Sequence, residues 1–466
     1  MKKLAQLLSP FFIVLIFVLN GCSTSAVPVE TAQPAPSSTP AAPPSPYDVA
    51  PVQTFIVTGI LAAVTARTIT IDCPDGTRCR FVCAFDRIRD KLDALVPGSL
   101  VRVEYYDRLD GGENAGLAVA TVVTVEASPD EVLVMRAGEL LETMTLSEKV
   151  GQLFLAHYPA SAASELTRAL QPGGYILFSG DLKDKTPEDV LADVQDCQRS
   201  AEITMLIGVD EEGGMVTRVS KYPQFRSVPF SSPQSLYLGG GWDAVVSDTL
   251  EKDTLLKSLG INLNFAPVCD VSTDPSDFIY KRAFGENAEL TAKYVKTVVE
   301  TMVSNKLGCV LKHFPGYGSN VDTHTGSSYD GRPYEAFVTS DLRPFEAGIA
   351  AGAGAVMVSH NIVACMDDSA PVSMSAAAHR VLREALGFDG VVITDDINMR
   401  AALDYAGDEN AAVLAVLAGN DMIISPYIDE QIPAVLTAVR EGLVTEARID
   451  ASVLRILIWK LRLGIL

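Results

Sequence analysis

Between residues 52 and 127 short apolar runs alternate with polar positions at a spacing of two. Residues 55–61, 68–72, 80–83, 100–106 and 121–126 are β-branched or alternating, and turn residues separate them. Five such strands in about 75 residues predict a small all-β domain, a barrel of the OB kind. From 131 to 466 the pattern changes to short apolar runs alternating with longer stretches that have one polar face, such as 290–303 and 376–386. The runs at 151–155, 174–178, 205–210, 263–268, 309–313, 355–360, 390–395 and 421–425 predict strands joined by crossover helices. Eight β/α units in about 330 residues fit an α/β fold of the TIM-type (β/α)8 barrel better than an open sheet.

The first 51 residues carry a different pattern. Lys2 and Lys3 precede an apolar run from Leu7 to Leu19, the layout of a secretory signal, and the run is shorter than the roughly 20 residues a membrane span requires. Leu19-Asn20-Gly21-Cys22 resembles a bacterial lipobox, which implies a lipoprotein signal peptide over 1–22 and lipid attachment at Cys22. The Pro-, Ala-, Ser- and Thr-rich stretch 23–51 then reads as a tether. The chain is expected on the extracytoplasmic face of the cell membrane, lipid-anchored.

A formal net charge of -21 repels nucleic acid and anionic headgroups and argues against either as a partner. The small domain shows neither a basic groove nor a stacking stripe, so it is expected to serve as a spacer. Of the eight cysteines, Cys73 and Cys79 flank a hairpin turn at Asp75-Gly76 near Cys83. Free structural thiols and one local bridge both fit that spacing, and a zinc site would lack a fourth ligand. Cys197, Cys269, Cys309 and Cys365 lie mostly in apolar stretches and are expected to be buried.

Polar residues gather at the C-terminal ends of the barrel strands: Asp210, Asp270, Lys312, His313, His360, Asp395 and Asp396. That is the face on which such barrels build active sites. A charged group ending an apolar strand is costly without partners, so one shared polar site explains the set better than seven separate caps. His379 falls in the middle of a predicted helix and is set aside.

Several of these residues sit in longer motifs. Asp210-Glu-Glu-Gly-Gly, Asn264-Phe-Ala-Pro-Val-Cys-Asp270, Arg282-Ala-Phe-Gly, Lys312-His-Phe-Pro-Gly-Tyr-Gly and Gly387-Phe-Asp-Gly-Val-Val-Ile-Thr-Asp-Asp396 occur in that order, opened by Met144-Thr-Leu-Ser-Glu-Lys-Val-Gly-Gln-Leu and closed by Arg448-Ile-Asp-Ala-Ser-Val. The ordered set resembles glycoside hydrolase family three over roughly 135–466. The resemblance implies Asp395 as the nucleophile of a retaining glycosidase, with Asp396 in support. Asp322-Thr323-His324 resembles the acid/base dyad of the family's β-N-acetylglucosaminidase branch. Asp322 would fix the imidazole tautomer while the other ring nitrogen of His324 faces the glycosidic oxygen. Asp210, Arg282, Lys312, His313 and His360 are then expected to bind sugar hydroxyls.

The activity so implied is exo-cleavage of terminal β-linked N-acetylglucosamine from peptidoglycan fragments or chitooligosaccharides, without a metal or organic cofactor. Met215 and Tyr317 depart from the family pattern, which has Arg and His there, and this bears on substrate preference. The rival readings are a β-glucosidase, a β-xylosidase or a phosphorylase of the same family, or, in another class, a lipoprotein that binds wall glycan without cleaving it.

Overall fold

The computed structural model describes residues 54–106, 118–323 and 326–466. The expected leader, tether and Cys22 lie outside the described residues, as does His324.

Strands β1 (Thr54–Val64), β2 (Thr68–Asp72), β3 (Arg78–Val82), β4 (Leu100–Tyr106) and β5 (Ala118–Ala127) close into a small barrel in the order β1-β2-β3-β5-β4. Alternation sends Leu61, Ile69, Ile71, Phe81, Val101 and Val103 into its core. A bulge between Leu61 and Ala63 shifts the register of β1 on β2, bending the strand as closure requires. At the tip of the β2–β3 hairpin, Asp75 Oδ1 accepts from the backbone N–H of Thr77 at 2.9 Å and from its hydroxyl at 2.6 Å. Gly76 supplies the positive φ of +81° there. Cys73 and Cys79 flank this turn as free thiols 3.4 Å apart.

The helix Pro129–Thr143 leads out of the small barrel, started by a capping box of Ser128 and Glu131. It packs against the last helix of the chain, Glu446–Leu463. Strands β6 (Phe154–His157), β7 (Gly174–Leu177), β8 (Leu206–Val209), β9 (Leu263–Asn264), β10 (Gly308–Phe314), β12 (Ala355–Val358), β14 (Val391–Asp396) and β15 (Met422–Ser425) form a closed barrel. Every neighbouring pair is parallel. Two short strands, β11 (Tyr329–Asp330) and β13 (Ile362–Val363), pair beside it. Leu155, Ile176, Leu206, Leu263, Phe265, Val310, Met357 and Ile393 belong to its buried core, joined by Ile456 and Trp459 of the last helix. A filled interior of branched side chains leaves the strand ends as the place for polar chemistry.

All eight expected strands are present, and two differ in extent. The first begins at Phe154, because Thr145 and Glu148 form a capping box that starts a helix running through Gly151 and Gln152. His157 therefore ends the strand. The fourth is shortened to Leu263–Asn264, since Pro267 has no N–H with which to continue the ladder. The expected helix at 376–386 is α-helical only over Ala376–Arg380 and continues with wider turns over Val381–Ala385. Cys365 corrects an expectation: it lies exposed on the turn after β13, whereas Cys197, Cys269 and Cys309 are buried.

Candidate active site

A cavity of about 560 Å³ opens at the C-terminal end of the barrel. Its lining includes Asp210, Arg282, Lys312, His313, Tyr317 and Asp395. Five of the residues expected to act on or bind sugar thus meet around one space.

One wall is a charge network with almost no solvent around it. Lys312 Nζ lies 2.7 Å from Asp210 Oδ1 and 2.6 Å from Glu212 Oε1. Arg282 grips Glu212 with two bonds, Nη2 to Oε1 at 2.8 Å and Nε to Oε2 at 3.1 Å, the paired geometry that suits a guanidinium. Burial opposes ionisation of Glu212, but Lys312 and Arg282 outweigh it and hold the carboxyl well below the usual range. The same pairing keeps Arg282 charged despite its burial. The local chain makes this arrangement feasible. Asp210 and Glu212 alternate along the strand extension, while Glu211 turns away and accepts the backbone N–H groups of Arg218 and Val219 at 2.9 and 2.7 Å. Gly213, at φ +99°, closes the turn where any side chain would meet the Ser231 carbonyl at 2.3 Å.

The histidine of this wall has an assignable tautomer. Arg282 Nη2 approaches His313 Nε2 at 3.1 Å, and a guanidinium only donates, so Nε2 accepts. The ring proton then resides on Nδ1 and is donated to Asp270 Oδ2 at 2.8 Å. Asp270 also accepts the backbone N–H of Tyr317 at 2.7 Å, so one buried carboxylate fixes both the His313 ring and the start of the following loop. The Tyr317 hydroxyl bonds Thr323 Oγ1 at 2.7 Å. Burial first, and then the charge of nearby Asp395, pushes this phenol well above its ordinary value.

Facing this wall, Asp395 stands on β14 and accepts the backbone N–H of Asp396 at 2.8 Å through Oδ1. Asp396 is held from two sides. Its Oδ2 lies 2.8 Å from His157 Nε2 at the end of β6, and its carbonyl oxygen accepts from His360 Nε2 at 3.0 Å. The other ring nitrogen of His360 meets Ser373 Oγ at 2.7 Å. With 1% of its surface exposed, His360 backs the strand and is not among the residues lining the cavity. Asp322 precedes buried Thr323 on the loop between β10 and β11; His324 lies outside the described residues.

Sequence reasoning missed Glu212, His157 and Arg218. Glu212 was visible inside the Asp210 motif, but spacing alone did not say which of three acids turns inward. His157 was hidden by placing its strand three residues too early. Arg218 lines the cavity 3.7 Å from Asp210 and follows the Gly-Gly turn by four residues, a distance no strand period marks. Among the described residues no group of three or more His, Cys, Asp or Glu side chains is placed to hold a metal ion.

This geometry accords with the comparisons to known proteins. A Beta-hexosaminidase of Xanthomonas campestris pv. campestris is 31% identical over 257 residues, 54% of this chain and 76% of that protein. One of Methylococcus capsulatus is 34% identical over 272 residues, 57% and 79% of the two chains. Among solved structures, a glycoside hydrolase family 3 beta-N-acetylglucosaminidase from Paenibacillus sp. superposes with a TM-score of 0.64 at 32% identity, covering 69% of this chain and 63% of the other. Residues 145–458 match the Glycosyl hydrolase family 3 N terminal domain. The chain is therefore a glycoside hydrolase, and it belongs to glycosyl hydrolase family 3.

Proposed function

We propose that this enzyme is a retaining, exo-acting β-N-acetylglucosaminidase. The observation that carries the reading is the pairing, across one cavity, of a carboxylate on β14 with a buried network of donors and acceptors from β10 and the segment just after β8. Asp395 attacks the anomeric carbon and forms a glycosyl ester; water then releases the sugar from it. The hydroxyls of the terminal sugar bond to Asp210, Arg282 and Lys312, whose positions are fixed before substrate arrives, so little reorganisation is spent on binding.

Protonation of the leaving oxygen is assigned to His324, oriented by Asp322. Support comes from the Asp-x-His spacing and from Thr323 between them. Its hydroxyl bonds the Tyr317 phenol, and Tyr317 lines the cavity, so the loop reaches the cavity wall one residue before the imidazole. The preference for N-acetylglucosamine rests on the relatives named above, and peptidoglycan fragments and chitooligosaccharides are the natural substrates proposed. Attachment through a lipid on Cys22 puts the reaction outside the cell membrane; loss of lipid labelling in Cys22→Ala tests that part separately.

The decisive assay is nitrophenol release from the N-acetylglucosaminide against the glucoside and xyloside, with and without inorganic phosphate. Fast release from the first alone, independent of phosphate, is expected. Preference for another glycoside, or a sugar phosphate as product, overturns the assignment. A protein that binds glycan and releases nothing is not an enzyme of this kind.

A further inference from the structure

The pair formed by His157 and Asp396 joins two strands that are not neighbours, since β15 lies between β6 and β14. His157 Nε2 reaches past it to Asp396 Oδ2 at 2.8 Å. The imidazole is seated by the ring of Phe178, the residue just after β7, centroids 4.6 Å apart, and Phe178 itself lines the cavity. On the other side of the same residue, His360 donates to the Asp396 carbonyl at 3.0 Å. The backbone N–H of Asp396 in turn bonds Asp395 Oδ1 at 2.8 Å. The side chain, carbonyl and amide of Asp396 are therefore all committed, and its amide holds the carboxylate that reacts.

We propose that His157 is a positioning residue for the nucleophile, acting through Asp396. The inference rests on the reading of Asp395 as the nucleophile. Two carboxylates on consecutive residues repel. Because a carboxylate only accepts, the proton between His157 and Asp396 is donated by the ring. Together with the backbone N–H of Asn398, which Asp396 Oδ1 accepts at 2.9 Å, that donation fixes the Asp396 side chain, so the amide that bonds Asp395 keeps its direction. The charged groups facing His157 are Asp396 from β14 and Asp181 from the helix Ser179–Leu182. Asp395 is faced by Asp396 and Tyr317, with Lys312, Arg282, Arg218 and Arg400 on the cavity walls.

The test uses the full chain and 2,4-dinitrophenyl N-acetylglucosaminide, whose leaving group departs without a proton, so the rate reads the nucleophile and not the acid. His157→Phe keeps the ring against Phe178 and removes the donor. A fall in kcat/KM of about tenfold to a hundredfold is expected, the usual effect of one hydrogen bond to a charged group. His157→Gln can place its amide nitrogen near the position of Nε2 and should recover most of the rate. A His157→Phe enzyme with unchanged kcat/KM overturns the proposal. So does an equal loss of rate and melting temperature in His157→Phe and His157→Gln, which marks a packing role only. A wild type that cleaves no aryl glycoside, or an Asp395→Ala variant that keeps its activity, removes the reading beneath it, and those outcomes are told apart by the parent enzyme alone.

Discussion

Replacing Glu212 with Gln tests the charge network where it is most buried. The wild-type carboxylate has 4% of its surface exposed and answers two cations, Lys312 at 2.6 Å and Arg282 at 2.8 Å. Glutamine keeps the shape, loses the charge, and turns an N–H₂ toward one of the two donors. Breaking one side of a buried pair costs about 3–5 kcal/mol, because the partner charge remains without its counterion. At roughly 2 °C per kcal/mol for a domain of this size, the melting temperature at pH 7 should fall by about 6–10 °C. The pH dependence gives a second reading with a definite sign. The folded-state pKa of Glu212 lies below its unfolded value, so its stabilisation is full above the unfolded pKa near 4.3 and is lost as pH falls toward the folded value. The gap between wild type and Glu212→Gln should therefore narrow by about 1 kcal/mol between pH 5.5 and 3.5. Denaturant titration at several pH values measures it. A variant within about 0.5 kcal/mol of wild type at pH 7, or a gap that stays constant down to pH 3.5, would refute the claim that this carboxylate is held ionised by its neighbours.

Three further outcomes follow from other parts of the molecule. Asp395→Ala should lower kcat/KM by roughly a thousandfold or more, and added azide should restore turnover with a glycosyl azide of inverted configuration as product, measured by NMR. Lys460 is buried with its amine 2.7 Å from Gln152 Oε1, and burial pushes it down to about 7. Between that value and its unfolded pKa near 10.4 the unfolded chain holds the extra proton, so stability rises with pH across the window. Lys460→Met should stabilise the fold at pH 7 by about 1–3 kcal/mol, with a smaller gain at pH 10, and no gain in denaturant titration would count against the buried amine. Cys365, exposed on its turn, should react first with a maleimide at pH 8, while Cys83 and Cys197, raised to about 11, and Cys309, raised to about 12, stay protected until unfolding. Peptide mapping by mass spectrometry reads the order.

What could be read from the chain was what depends on a short period. Eight apolar runs gave eight barrel strands, and their polar ends pointed to one face, because a residue that ends a buried strand must emerge where the strand does. The small barrel was legible for the same reason, from alternation in segments such as Thr68–Asp72 and Leu100–Tyr106. A boundary failed at β6, where Val150-Gly151-Gln152-Leu153 is as apolar as a strand but belongs to a helix that the Thr145–Glu148 capping box had already begun. That displacement of three residues was enough to hide His157. Cys365 was misplaced for the opposite reason: Val363 and Ala364 look like core, yet the chain turns outward at once after a two-residue strand.

Partnerships are a different kind of information. Lys312 and Arg282 could each be marked as polar residues in costly positions, but the carboxylate that both of them pair with is Glu212, separated from them by 70 residues or more. His360 shows the converse. Its position at a strand end suggested a hand on the substrate, whereas the side chain turns back to Ser373 and the Asp396 carbonyl. A residue's place on the active face thus says that it needs a partner without saying whether the partner is sugar or protein. Only the direction of the side chain decides, and direction is set by tertiary packing that no local pattern encodes. The partnerships of His157, Glu212 and His360 are consequently the ones that had to come from the folded chain.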